Sequence, residues 1–88
     1  LSGDLSKAFG FIWIAKYKRD RNDMHAAELS LKEAIAILER HAPESSLLIG
    51  TLRDYADLLL KAKRSSEART VQEKADKIAA QKVITPMP

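Results

Sequence analysis

The chain has 88 residues, of which 45% are hydrophobic and 31% are charged, and its net charge is +3. This composition excludes a disordered tail and is typical of one small folded domain, 1–88, with a thin core. The 15 basic and 12 acidic residues are mixed along the chain, so a nucleic-acid partner is not expected.

Cysteine is absent from the sequence, which excludes disulfides and thiolate metal sites and favours a cytoplasmic location. The apolar run at 11–15, which no other run exceeds in length, is far shorter than the ~20 residues that span a bilayer. We therefore expect no membrane partner.

Apolar residues recur with helical spacing and do not alternate, which predicts an all-α fold. The first helix is expected to begin after 2–4, where Ser2 or Asp4 is a candidate cap, and to end at about Arg19. A tight turn follows over 20–23. There, Asn22 or Asp23 caps a second helix that extends to about residue 40.

The next interruption, 41–46, contains Pro43, which suits the first position of a helix because it has no N–H to satisfy. The third helix is expected to end at about Lys63. Residues 64–66 offer the next cap, and a fourth helix covers Glu67 to about Lys82. Short connections favour antiparallel pairing of helix one with two and of three with four.

Prolines at 86 and 88 prevent the last helix from continuing through the tail, 83–88. Val83, Ile84 and Met87 are candidates to cap the last helix or to join the first helix of a neighbouring molecule. Contact with the first helix of a neighbouring molecule would give a head-to-tail or swapped dimer.

The sequence repeats itself at an offset of 41 residues, which divides it into units of about 5–41 and 43–82. The matching pairs are Ala15 with Ala56, Ala27 with Ala68, Ala34 with Ala75, Ile37 with Ile78, Phe11 with Leu52, and Ile14 with Tyr55. Small side chains allow two helix backbones to approach closely. We expect Ala15 to face Ala27 and Ala56 to face Ala68, with the later alanine of each unit meeting the helix that follows.

At 52–59 and 66–78 the sequence resembles the tetratricopeptide-repeat (TPR) family, in the longer-repeat form of kinesin light chains and bacterial scaffolds. The resemblance implies two tandem antiparallel hairpins in a right-handed superhelix that binds protein or peptide. Asn22 and Lys63 replace the usual turn glycine. Since lysine tolerates a left-handed conformation less well than asparagine, the second turn is expected to differ in detail.

Residues that carry chemistry are scattered. His25 and His41 lie near opposite ends of one helix and are not expected to share a metal. Serines at 45, 46, 65 and 66 fit capping roles, and there is no phosphate-binding glycine loop. We expect no catalytic activity, no metal and no cofactor.

The first helix is apolar on more than one face. Phe11, Ile14 and Ala15 are expected to pack on the second helix. A further apolar face has no partner within its own unit; it comprises Leu5, Phe9, Ile12 and Trp13, with Lys16 at its end.

By the resemblance, this face lines a concave groove, so that Phe9, Ile12 and Lys16, with Arg53 and Asp57 of the next unit, contact a bound segment. In the same hypothesis Lys16, Arg19 and Arg53 clamp a carboxylate beside a pocket formed by Phe9, Ile12 and Trp13. The sequence leaves several alternatives open for the face. In the first, the face packs on the third helix and the tail. In the second, a preceding repeat covers it, and in the third it closes a homodimer. An alternative for the whole chain is a structural or oligomerisation segment with no ligand of its own.

Overall fold

The computed structural model describes residues 3–83, which form four helices: α1 (Gly3–Asp20), α2 (Met24–His41), α3 (Ser46–Lys61) and α4 (Ser65–Val83). The predicted Ser2 cap and the predicted tail contacts of Ile84, Met87 and the Val83 side chain lie outside what is described.

The helices pack as two hairpins, which confirms the predicted all-α hairpin arrangement. Helix α1 lies along α2 (hairpin 1), α3 lies along α4 (hairpin 2), and α2 packs on α3 to join them. Each hairpin has only three residues between its helices, 21–23 and 62–64, so the chain must reverse direction there.

The two hairpin turns are the same, contrary to the expectation for Lys63. Asn22 has φ 65° and Lys63 has φ 63°. The amide of Asp23 donates to the Lys18 carbonyl, and that of Arg64 donates to the Leu59 carbonyl, both at 2.8 Å. This is the bonding of a helix that ends in a left-handed residue. A short connection with a fixed direction imposes that conformation on lysine.

Two of the predicted caps are confirmed, and the other predicted helix starts differ. Asp23 and Ser45 cap α2 and α3 by accepting from the amides of Ala26 and Leu48 at 3.2 and 3.1 Å. Pro43 lies in the turn before α3 and not in its first helical position. The other three candidate cap serines, 46, 65 and 66, lie inside the first turns of α3 and α4. Helix α4 therefore begins at Ser65, two residues earlier than the expected Glu67.

The repeated alanines are buried as predicted. Ala15 and Ala27 share a core cluster with Leu31 and with Leu58 of α3. Ala56 and Ala68 are 3% and 2% exposed. Both backbones can approach there because no larger side chain intervenes.

Ala34 and Ala75 are fully buried as well. Ala75 does not meet a following helix, since α4 is the last helix in the described part of the chain. It belongs instead to the main core cluster, with Leu48 and Leu52 of α3 and Leu38 of α2.

The molecule is thin, with principal extents of 48 × 34 × 17 Å. Two packed helices form a layer of about this thickness, because their axes lie about 8–10 Å apart. The helices α1 and α3 keep exposed side chains, among them Phe9, Trp13 and Leu60, and these exposed faces position the candidate site.

Candidate protein-binding surface on α1 and α3

Helix α1 presents large apolar side chains to solvent. Phe9 is 52% exposed and Trp13 is 70% exposed. Leu5 and Ile12, on the same face, are half-buried and pack against the main core cluster. Packing on α3 therefore accounts for part of this face, and the two aromatic rings remain outside it.

Ile14 departs from the expectation that it packs on α2, because it is 45% exposed. Its counterpart in hairpin 2, Tyr55, packs against both core clusters. The difference follows from position. Tyr55 faces hairpin 1, whereas no helix within residues 3–83 precedes α1 to cover Ile14.

The aromatic residues of α1 border a pocket of about 250 Å³ that we call the α1 pocket. Its lining comprises Phe9, Ile12, Trp13 and Lys16 of α1 and Leu47 of α3. The structure thus brings four of the predicted contact residues together. Leu47 was not singled out in the sequence, since it lies outside the repeat matches and only the approach of α3 places it here.

A wider groove of about 420 Å³ continues from the α1 pocket between α1 and α3. Ile12 and Lys16 line both the α1 pocket and this groove. Arg19, Asp54 and Lys61 are among the residues that line the groove and not the pocket. Within residues 3–83 the ammonium group of Lys16 makes no hydrogen bond or ion pair. It is the cation available to a ligand in the pocket.

Arg19 and Asp57 contact each other across the α1–α3 junction, at 3.1 Å between Nη2 and Oδ2. Lys61 approaches the same carboxylate at 3.4 Å. Both residues were predicted to contact a partner. The ion pair engages the Arg19 guanidinium with α3, so this residue is not free to bind a ligand carboxylate.

Arg53 lies apart from the α1 pocket. Its guanidinium approaches Asp76 of α4 at 3.4 Å, and its side chain lines the space between α3 and α4. The predicted three-residue clamp is therefore not assembled. The pairing with Asp76 draws Arg53 toward α4, on the side of α3 away from Lys16.

A polar network that the sequence did not reveal joins the two hairpins. Glu28 of α2 accepts from the Arg64 guanidinium at 2.7 Å and from the Tyr55 hydroxyl at 3.2 Å. The hydrogen bond from Arg64 lowers the pKa of Glu28, against the opposing effect of burial. Burial raises the pKa of Tyr55, and the Glu28 charge adds to this. The network stabilises the junction between the hairpins.

The two histidines are apart, as expected from their spacing. His25 is exposed, and His41 Nε2 lies 3.2 Å from Asp4 Oδ2. Among residues 3–83 there is no cluster of three or more potential metal ligands. None of the four described helices is both long enough and apolar enough to cross a membrane.

Comparisons with known proteins place this chain beside no relative: no family model, curated protein or solved structure matches it.

Proposed function

We propose that this chain is a protein-interaction module, with its hairpins arranged as in the tetratricopeptide family, that binds a segment of another protein in the α1 pocket. The observation that carries the proposal is the pocket itself. Two exposed aromatic rings, Phe9 and Trp13, stand beside half-buried Ile12 and Leu47 and beside the lysine at position 16.

The composition of the pocket favours a specific kind of ligand. Its walls are apolar, so they fit one large apolar side chain. Lys16 at its edge favours a carboxylate next to that side chain. Tryptophan and phenylalanine are typical anchors of protein interfaces because they bury much area with few rotatable bonds.

The scaffold supports such a role because contacts within the chain already hold the pocket open before a ligand binds. Helices α1 and α3 are joined by the Arg19–Asp57 ion pair and by the core cluster beneath Ile12. A ligand therefore does not have to order the site when it binds, and less of the binding energy is lost. The proposed partner is a helix or an extended segment that carries an apolar residue followed by acidic residues.

The test uses a random heptapeptide display library, followed by titration of selected peptides with Trp13 fluorescence as the signal, since Trp13 is the single tryptophan. We expect selection of an apolar residue flanked by carboxylates. Phe9→Ala should weaken binding by about 1–2 kcal/mol, which is about 5–30-fold. Lys16→Glu should weaken it and reverse its salt dependence, because added salt then screens a repulsion between Glu and the acidic ligand.

Two matched variants serve as controls. Tyr17→Ala removes an aromatic ring of similar exposure, 55% against 52% for Phe9, from outside the pocket. Lys7→Glu makes the same charge change at an exposed position earlier in α1. Both controls should bind like the unmodified chain. Equal losses in the controls and the pocket variants, or no enrichment of any motif, would falsify the proposal.

A further inference from the structure

The outward side of α1 carries a second exposed surface, which lies beside the α1 pocket. We call it the α1 end surface and define it as Gly10, Ile14, Tyr17, Asp20 and Asp23. Ile14 and Tyr17 are 45% and 55% exposed. At the offset of 41 their counterparts in hairpin 2 are Tyr55 and Leu58. Both of those pack on hairpin 1.

At the other end of the molecule, α3 and α4 border an open groove of about 530 Å³, the α3–α4 groove. Its lining includes Ala56, Leu60, Ala68, Arg69 and Gln72. Their counterparts in hairpin 1 are Ala15, Arg19, Ala27, Glu28 and Leu31, which form the surface that α3 covers. One end thus has a helix without a groove, and the other has a groove without a helix.

We propose that α1 of a second copy of this chain docks in the α3–α4 groove, as α3 docks on hairpin 1, so that copies add head to tail. The template is an interface that the molecule already contains. The docked copy contributes its α1 end surface in place of Tyr55, Leu58 and Arg64.

The charges at the two ends support this occupant. Within the chain, Glu28 accepts from Arg64 at 2.7 Å across the junction between the hairpins. In the stacked arrangement, the position of Glu28 is taken by Arg69, 41 residues later in the chain. The position of Arg64 is taken by Asp23 of the second copy, 41 residues earlier. Both signs reverse together, so the ion pair is preserved with the opposite orientation.

A second set of opposite charges lies at equivalent positions. Asp20 of hairpin 1 and Lys61 of α3 line the same groove within the chain, where the ion pair of Lys61 is with Asp57. In the stacked arrangement Lys61 takes the receiving position and Asp20 of the second copy takes the docking position. Opposite charges are again brought near each other, and like charges directly opposed would cost stability.

The core of the contact changes on both sides as well. Leu58 packs with Leu31 within the chain. Their counterparts are Tyr17 of the second copy and Gln72, so two apolar residues are replaced by a hydroxyl and an amide that can hydrogen-bond. Leu60, 56% exposed, faces the methylene stem of Lys16 of the second copy, in place of the Arg19–Asp57 ion pair.

Gly10 leaves room for a close neighbour on this surface. Glycine inside a helix costs about 1 kcal/mol relative to alanine. A Cβ added at Gly10 meets nothing within 4 Å, so no contact among the described residues explains its absence. The counterpart, Thr51, is 3% exposed. A docked helix could therefore approach closely at Gly10, as the buried Thr51 position shows for the contact within the chain.

The test measures the mass of the intact chain by sedimentation velocity from about 10 µM to about 1 mM. We expect the mean mass to rise past that of a dimer, since a head-to-tail contact leaves both ends open. Two variants block one end each: Ile14→Glu at the α1 end surface, and Arg69→Glu with Leu60→Lys in the groove. Each should be monomeric alone, and an equimolar mixture should form a 1:1 dimer through the two intact ends.

Further variants separate assembly from folding. Gly10→Gln should raise the melting temperature of the monomer and abolish assembly. Arg40→Glu, at an exposed position of α2 outside both surfaces, should assemble normally. Three results would overturn the proposal. The wild type stays monomeric throughout the concentration range, or the mixture of the two variants stays monomeric. In the third, the groove variant forms dimers alone, which indicates α1-to-α1 contact. Phe9→Ala should leave assembly intact while it weakens peptide binding, so the assembly proposal and the α1 pocket proposal can fail independently.

Discussion

At the scale of single residues, Lys63 shows how the connection between two helices overrides local preference. A lysine at φ 63° pays a steric cost that glycine avoids, because its Cβ crowds the neighbouring carbonyl. Asn22 adopts the same conformation at φ 65°, and asparagine pays less for it. The sequence identified the two turns and the residues that replace glycine. It did not predict that both turns close alike, since that depends on the packed helices on either side.

Replacing Lys63 by glycine should therefore raise the free energy of unfolding by about 1 kcal/mol, because the left-handed conformation costs glycine little. Asn22→Gly is the matched change and should give a smaller gain. Urea denaturation of both variants beside the wild type measures this. Equal gains at the two positions, or a loss at Lys63, would contradict the strain assigned to that residue.

At the scale of helices, alanines mark where the backbones of a hairpin come together. Ala27 is fully buried, and Ala15 beside it is 1% exposed. Spacing and the repeat were enough to predict these positions, because both follow from helical geometry alone. The partners of Arg19 and Arg53 were not predictable in this way. Long side chains can reach either neighbouring helix, and their choice of Asp57 and Asp76 depends on distances that only the packed fold sets.

Enlarging the crossing should separate the two helices of hairpin 1. We expect Ala27→Leu to lower the free energy of unfolding by about 1–3 kcal/mol, since the added carbon atoms have no space. Ala36→Leu, at an exposed position of the same helix, should change it by less than about 0.5 kcal/mol. Thermal unfolding followed by circular dichroism compares them. A neutral Ala27→Leu would show that the helices are not in close contact there.

At the scale of the whole molecule, the two hairpins are held together by the α2–α3 contact and by the network around Glu28. The network comes from three different helices or their ends, Glu28 on α2, Tyr55 on α3 and Arg64 before α4. No periodic pattern within one helix reveals such a set. Glu28 has a side chain only 12% exposed, so its charge depends on the two donors. The relative placement of the hairpins, and with it the α1 pocket, should consequently respond to the ionisation of Glu28.

The pH dependence of unfolding tests this coupling. Because Arg64 lowers the pKa of Glu28 in the folded chain, the stabilisation is fully present above the unfolded glutamate value of about 4.3. It is lost as pH falls from there through the lower folded value, since the unfolded chain then binds the proton more readily. Glu28→Gln should lower the melting temperature at pH 7 and flatten its decline between about pH 5 and pH 3.

Glu33→Gln is the matched control for this prediction, because it removes the same charge from an exposed position of α2. It should keep the wild-type slope across the acid range. If Glu28→Gln retains that slope too, the acid sensitivity lies elsewhere and the hairpins do not depend on this carboxylate. If the slope flattens and Trp13 fluorescence changes at pH 7 as well, the network also holds α1 against α3, since the ring borders Leu47 in the pocket that those two helices form.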